Sequence, residues 1–148
     1  MSEPASPREV VEALMRGISD QRWDELDGLY ADDAVVEYPF ALPAPRRLEG
    51  RDAIRNYFAA AAALPLRLGT RNMVVHETVD PSVVVAEWDY DGLVITTGRS
   101  FQVSNVQVST IRDGKIVASR DYHNHLILAE VTGRLTALLD AITAESSR

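Results

Sequence analysis

Residues 100–128 read SFQVSNVQVSTIRDGKIVASRDYHNHLIL. Two β-prone runs, 100–111 and 115–128, flank Asp113-Gly114, a dipeptide with turn chemistry. The spacing predicts two long strands joined by a tight turn. On the first, Val103, Asn105, Gln107 and Ser109 share one face, while Ser104, Val106, Val108 and Thr110 share the other. On the second, the odd positions are Val117, Ser119, Asp121, His123, His125 and Ile127. A carboxylate and two imidazoles therefore point the same way from a mostly apolar strand.

Upstream, RNMVVHETV (71–79), SVVVAEWDY (82–90) and GLVITTG (92–98) are β-branched and alternating, with breaks at Asp80-Pro81 and Asp91-Gly92. Together the strands predict an antiparallel meander. Before residue 66 the period is helical. Ser6, Pro7 and Glu9 form a helix-start signature, followed by Val10, Val11, Leu14 and Ile18 at helical spacing. A second helix is expected over SDQRWDELDGLYADD (19–33), with Asp32-Asp33 as a turn after it. A short strand is expected over AVVEYPF (34–40), then a Pro-rich loop over ALPAPRRLEG (41–50). A third helix is expected over 50–64, with Ile54, Tyr57, Phe58 and Ala61 as its apolar stripe. Val131, Leu135, Leu138, Leu139 and Ile142 space out a last helix over 131–143.

Helices first, a long antiparallel sheet next and a helix last make an α+β fold. The N-terminal helices must cover one face of a curved sheet, which forms a cone with a pocket inside it. No repeat or linker divides the chain, so residues 1–148 are expected to form one domain.

Composition narrows the function. The net charge is -7, and the 15 basic residues are scattered, with Arg46-Arg47 as the adjacent pair. Nucleic acid and anionic membranes are disfavoured as partners, because phosphate binding rests on Lys and Arg. With no cysteine, thiolate catalysis, disulfides and Cys-based zinc sites are excluded. No apolar run approaches the length of a membrane span, and the N-terminus does not read as a signal peptide, so a cytoplasmic protein is expected. There is no Gly-rich phosphate loop, nucleophile elbow or dinucleotide fingerprint, and no cofactor is called for.

Asp121, buried without a cation, would have its pKa raised toward neutrality, which suits a general acid or base. His123 beside it could orient it or shuttle a proton. The plain alternative pairs Asp121 with an arginine such as Arg99 or Arg120. The Asp-x-His-x-His row also has the look of metal ligands, but nothing else in the chain completes the set, and no metal is expected. Asn105 and Gln107 either hydrogen-bond a ligand or face solvent. Trp88, Tyr38 and Tyr57 read as either pocket wall or core, and Ser119 lies on the Asp121 face.

DELDGLYADDAVVEYPFALPAPRRLEGRDAIRNYF (24–58), followed by strands and IRDGKIVASRDY (111–122), resembles the nuclear-transport-factor-2-like superfamily. Within it, the SnoaL-like and ketosteroid-isomerase-like enzymes are most similar, over roughly residues 8–128. TVDPSVVVAEWDYDG (78–92) and DGKIVASRDYHNHLILA (113–129) also resemble phenazine-biosynthesis A/B-type members. The resemblance implies a cone-shaped fold with the odd face of 116–128 inside it. It also implies a homodimer through the outer sheet face, where the even positions Ile116, Tyr122 and Leu126 would fit.

Site residues carry over unevenly. Ketosteroid isomerases have their base in a VEDP context, which reads VEYP here, with Tyr38 at the base position. Their oxyanion-hole tyrosine falls near Gly17 and their oxyanion-hole aspartic acid at Gln107. The Arg-x-Asp of limonene-epoxide-hydrolase-like members is Asn105-x-Gln107. The acid of SnoaL-type polyketide cyclases matches Asp121, and their polar neighbours match Asn105 and Gln107. Phenazine A/B-type proteins carry a glutamate at the Asp121 position, and their helix histidine aligns near Tyr57.

Two functions lead, and a hydrolase using Asp121 to activate water is a third option. One is a cofactor-independent cyclase, isomerase or dehydratase acting on a small, apolar, carbonyl-bearing metabolite. In it Asp121 moves a proton, His123 tunes Asp121, and Asn105, Gln107, Ser119, Tyr38, Tyr57 and Trp88 contact substrate. The other is a non-catalytic small-ligand-binding or assembly protein of the same fold. An ion-paired Asp121 would favour the second.

Overall fold

The computed structural model describes residues 3–146, so the ends of the expected 1–148 domain lie outside the described residues. The helices are α1 (Pro7–Ser19), α2 (Arg51–Ala62), α3 (His125–Val131) and α4 (Leu135–Ser146). The strands are β1 (Tyr30–Tyr38), β2 (Arg46–Glu49), β3 (Leu66–Glu77), β4 (Val83–Val94), β5 (Arg99–Arg112) and β6 (Lys115–Tyr122). The six strands form one curved, open sheet in the order β2-β1-β6-β5-β4-β3. Helices N-terminal and C-terminal to the strands complete the expected α+β class.

The start of α1 matches the sequence signature. The Ser6 hydroxyl accepts from Glu9 N at 3.2 Å, and the Glu9 carboxylate accepts from Ser6 N at 3.0 Å. The helix buries Val10, Val11, Leu14, Met15 and Ile18 as it crosses β3, β4 and β5. Ile54 and Phe58 do the same for α2, which packs on β1 and on a single 3-10 segment, Trp23–Leu29. Apolar burial of this kind is the main favourable term, roughly 25 cal/mol per Å².

Several expected elements differ. The helix expected over 19–33 is only the 3-10 segment, and β1 begins at Tyr30, so Asp32-Asp33 lie in an exposed stretch of strand rather than a turn. The Pro-rich loop contains β2, which pairs antiparallel with β1. Asp91-Gly92 is not a turn either, because β4 runs through it. A Cβ on Gly92 would meet the ring of its cross-strand partner Phe101 at 2.1 Å. The glycine is thus the floor under an aromatic ring within a strand.

The meander β3-β4-β5-β6 is antiparallel as expected, but β6 pairs with β1 in parallel. A β-bulge interrupts the β5–β6 register: Thr110 faces Ala118, whereas Ile111 faces Ile116, which leaves Val117 as the extra residue. The slip returns Ile116 to the inner face, where it is fully buried, so it does not belong to the outer, even face. The strand expected to run to 128 ends at Tyr122. Asn124 then caps α3, its Oδ1 accepting from Ile127 N at 3.1 Å. α3 thus replaces the expected end of the strand, and the helix expected over 131–143 begins at Leu135, after a turn at Gly133, whose φ is +74°.

Candidate functional site

The sheet's inner face and the helices enclose a cavity of about 460 Å³. α1 and α2 supply apolar walls, including Leu14, Met15, Ile54 and Phe58. α3 and α4 line it with Leu128, Ala137 and Leu138. Tyr38 comes from β1, Trp88 and Tyr90 from β4, Gln107 from β5 and Asp121 from β6. His123 enters from the segment after β6 and His125 from the first turn of α3. The two histidines therefore reach the cavity by a route other than strand alternation.

Among the described residues Asp121 is the one acidic side chain lining the cavity, and it is 7% exposed. Among the described residues its Oδ1 makes no hydrogen bond of good geometry, and its polar neighbour is the Ser119 hydroxyl. Burial pushes the Asp121 carboxyl up to about 7, against a weaker downward pull from Ser119. The arginines that could have neutralised it are elsewhere: Arg99 is paired with Glu130, its Nη2 lying 2.8 Å from Oε1, and Arg120 is exposed on the opposite face of β6.

His123 is held neutral. Burial, then the neighbouring His125, pushes its pKa down to about 4, and burial lowers His125 as well. The two imidazoles stack with centroids 5.9 Å apart. Tyr38 stacks on Tyr57 at 5.2 Å and meets His123 edge-on at 5.9 Å. Trp88 packs edge-on to His123 at 6.3 Å and to Tyr90 at 5.8 Å. Burial raises Tyr30, Tyr38, Tyr57 and Tyr90, and the charge of Asp121 adds to the rise in each. The phenols keep their protons and act as donors.

The expected residues separate into two groups. Asp121, His123, Gln107, Tyr38, Tyr57 and Trp88 line the cavity. Asn105 and Ser119 are buried on the same inner face but are not among the side chains that line it. Asn105 faces Trp88 across β4–β5, and Ser119 faces Ser109 across β5–β6. His125, Tyr30 and Tyr90 also line the cavity, and sequence reasoning gave them no such role apart from His125's place in the row. Asn124, a capping residue followed by Ile127, Leu128 and Val131 at helical spacing, was the signal that the strand ends before His125. Among the described residues, no group of three or more His, Asp or Glu is arranged to hold a metal ion.

The sequence pattern of the SnoaL-like domain matches residues 11–119. The chain belongs to the SnoaL-like family. The YesE protein of Bacillus subtilis is 36% identical to it over 112 residues, covering 75% of this chain and 74% of YesE. A PhzA/B-like protein of Pseudomonas aeruginosa is 31% identical over 112 residues, covering 74% of this chain and 77% of that protein. A solved Bacillus subtilis structure, provisionally assigned as an isomerase, is 32% identical with a TM-score of 0.79, covering 86% of this chain and 93% of that one. More distant structures share the architecture, some provisionally assigned as polyketide cyclases and one described as a ketosteroid-isomerase-like fold. The SnoaL-like chain thus has the nuclear-transport-factor-2-like fold. Among its described residues no helix is long and apolar enough to cross a membrane.

Proposed function

We propose that this chain is a cofactor-independent enzyme of the cyclase, isomerase or dehydratase type, acting on a largely apolar, carbonyl-bearing metabolite. The supporting observation is a buried carboxyl with no cationic partner among the described residues, in a largely apolar cavity and with a pKa raised to about 7. In its ionised form Asp121 removes a proton from the carbon beside the substrate carbonyl. The electron pair moves onto the carbonyl oxygen as an enolate, and the protonated Asp121 then returns the proton to carbon or to a leaving oxygen. Gln107 Nε2 already donates to Ser109 Oγ at 2.9 Å, and its second N–H serves the enolate oxygen. Neutral His123 lines the same cavity and meets the substrate beside Asp121 without forming an ion pair. Tyr38, Tyr57 and Trp88 shape the apolar pocket, while Asn105 and Ser119 act from behind its wall. Similar structures provisionally assigned as cyclases and isomerases agree with this class of chemistry.

The test is exchange of α-hydrogens for deuterium in a panel of aromatic ketones in D2O, followed by NMR. The chain accelerates exchange and Asp121→Asn abolishes it with the fold retained. Equal rates in the two proteins would end the assignment.

The second reading, a non-catalytic ligand carrier, is favoured by the replacement of the steroid-isomerase residues at Gly17, Tyr38 and Gln107. It predicts ligand binding with no exchange in either protein. In either case the chain forms a homodimer through the outer sheet face, where Tyr122 packs edge-on to the 65% exposed Phe40. A monomer by light scattering at micromolar concentration refutes this.

A further inference from the structure

Two arginines line the cavity, Arg46 at the start of β2 and Arg134 just before α4. Both are exposed, whereas Asp121 is buried, so they stand where the cavity meets solvent. Neither has a carboxylate partner among the described residues, although the chain carries 22 acidic residues against 15 basic ones. Their neighbours are neutralised: Arg47 pairs with Glu37 and Glu49, and Arg99 pairs with Glu130. Arg46 is also held in place. It faces Tyr38 in the β1–β2 register, and its guanidinium lies 5.6 Å over the Tyr57 ring. Tyr57 stacks on Tyr38, which in turn meets His123. A continuous aromatic wall therefore runs from the Arg46 guanidinium to the His123 imidazole.

We propose that the ligand of this cavity carries a carboxylate, bound at the solvent end by Arg46 and Arg134, with its carbonyl end inside at Asp121. The guanidinium fork matches a carboxylate in shape and charge. The acid-free lining between the two ends offers nothing to repel it. The proposal rests on the reading of the cavity as a ligand site.

The test uses a matched pair of rigid probes, 6-acetyl-2-naphthoate and its methyl ester, titrated into the wild-type chain by calorimetry at low salt. The carboxylate binds about five- to tenfold tighter than the ester, the range expected for exposed charge-assisted contacts. The ratio falls toward one in the Arg46→Gln, Arg134→Gln double variant and at high salt. An ester that binds as tightly as the acid, or a preference that survives both substitutions, overturns the carboxylate proposal and leaves the ligand site standing. Failure of both probes to bind at millimolar concentration overturns the proposal and the ligand-site reading together.

Discussion

Gln107 and Asp121 are direct register partners across β5 and β6, and both side chains line the same cavity. An amide donor and a carboxyl are thereby fixed side by side on a rigid sheet, the arrangement proton transfer next to a carbonyl requires.

Removing the amide tests that pairing. Gln107→Leu lowers the rate of α-hydrogen exchange by about 10²-fold, the usual cost of one oxyanion donor. It also leaves the buried Ser109 hydroxyl without its partner, at about 1–2 kcal/mol of stability. Exchange kinetics and denaturant unfolding read the two effects separately.

The pH dependence of exchange reports Asp121. Its basic form populates as pH rises through about 7, so the rate climbs to a plateau above that pH. His123, pushed down to about 4, contributes no descending limb between pH 5 and 9. A bell-shaped profile centred in that range would contradict the assignment of these two groups.

Stability is predicted to show two opposing linkages. Asp121 rises from its ordinary 3.8 to about 7, so the folded chain holds the extra proton between those values. Its contribution is full below about 4 and is lost as pH rises through 7. His123 falls from 6.5 to about 4, so its contribution is full above 6.5 and is lost as pH falls through 4. In wild type the slopes cancel over most of the shared window. Asp121→Asn leaves the His123 slope, and stability increases with pH from about 4 to 6.5. His123→Asn leaves the Asp121 slope, and stability decreases over about 4 to 7. Urea unfolding across pH checks the signs.

The ring over Gly92 is a packing prediction. Gly92→Ala drives a methyl into Phe101 and costs about 1–3 kcal/mol, as overpacking does. In a Phe101→Ala background the same change costs much less. A double-mutant cycle showing simple additivity would mean that the two residues do not touch.

Asn124→Ala removes the cap of α3 at a cost of about 1 kcal/mol. Because His125 begins that helix and lines the cavity, naphthoate binding weakens along with thermal stability. Full affinity in the variant would show that the cap does not position the cavity wall.

Local chemistry written in the sequence determined much of this protein. The capping box at Ser6 and Glu9, the Asp113-Gly114 turn and the alternation from 100 to 122 specify their elements with partners only a few residues away. The alternation also grouped Gln107 with Asn105 and Asp121 with Ser119 on shared faces, but that the Asp121 face points inward followed from the family resemblance, not from the period. What required the tertiary structure was whatever depends on distant neighbours. The parallel β1–β6 pairing joins strands separated by most of the chain, and β2 is a strand because β1 offers it an edge. Gly92 looks like a turn residue until Phe101 lies over it. The bulge at Val117 restores Ile116 to the core against simple alternation. The state of Asp121 was likewise beyond local reading, since a carboxyl's pKa is set by the water and countercharges around it. Among the described residues no arginine pairs with that carboxyl, and two of them, Arg46 and Arg134, line the same cavity.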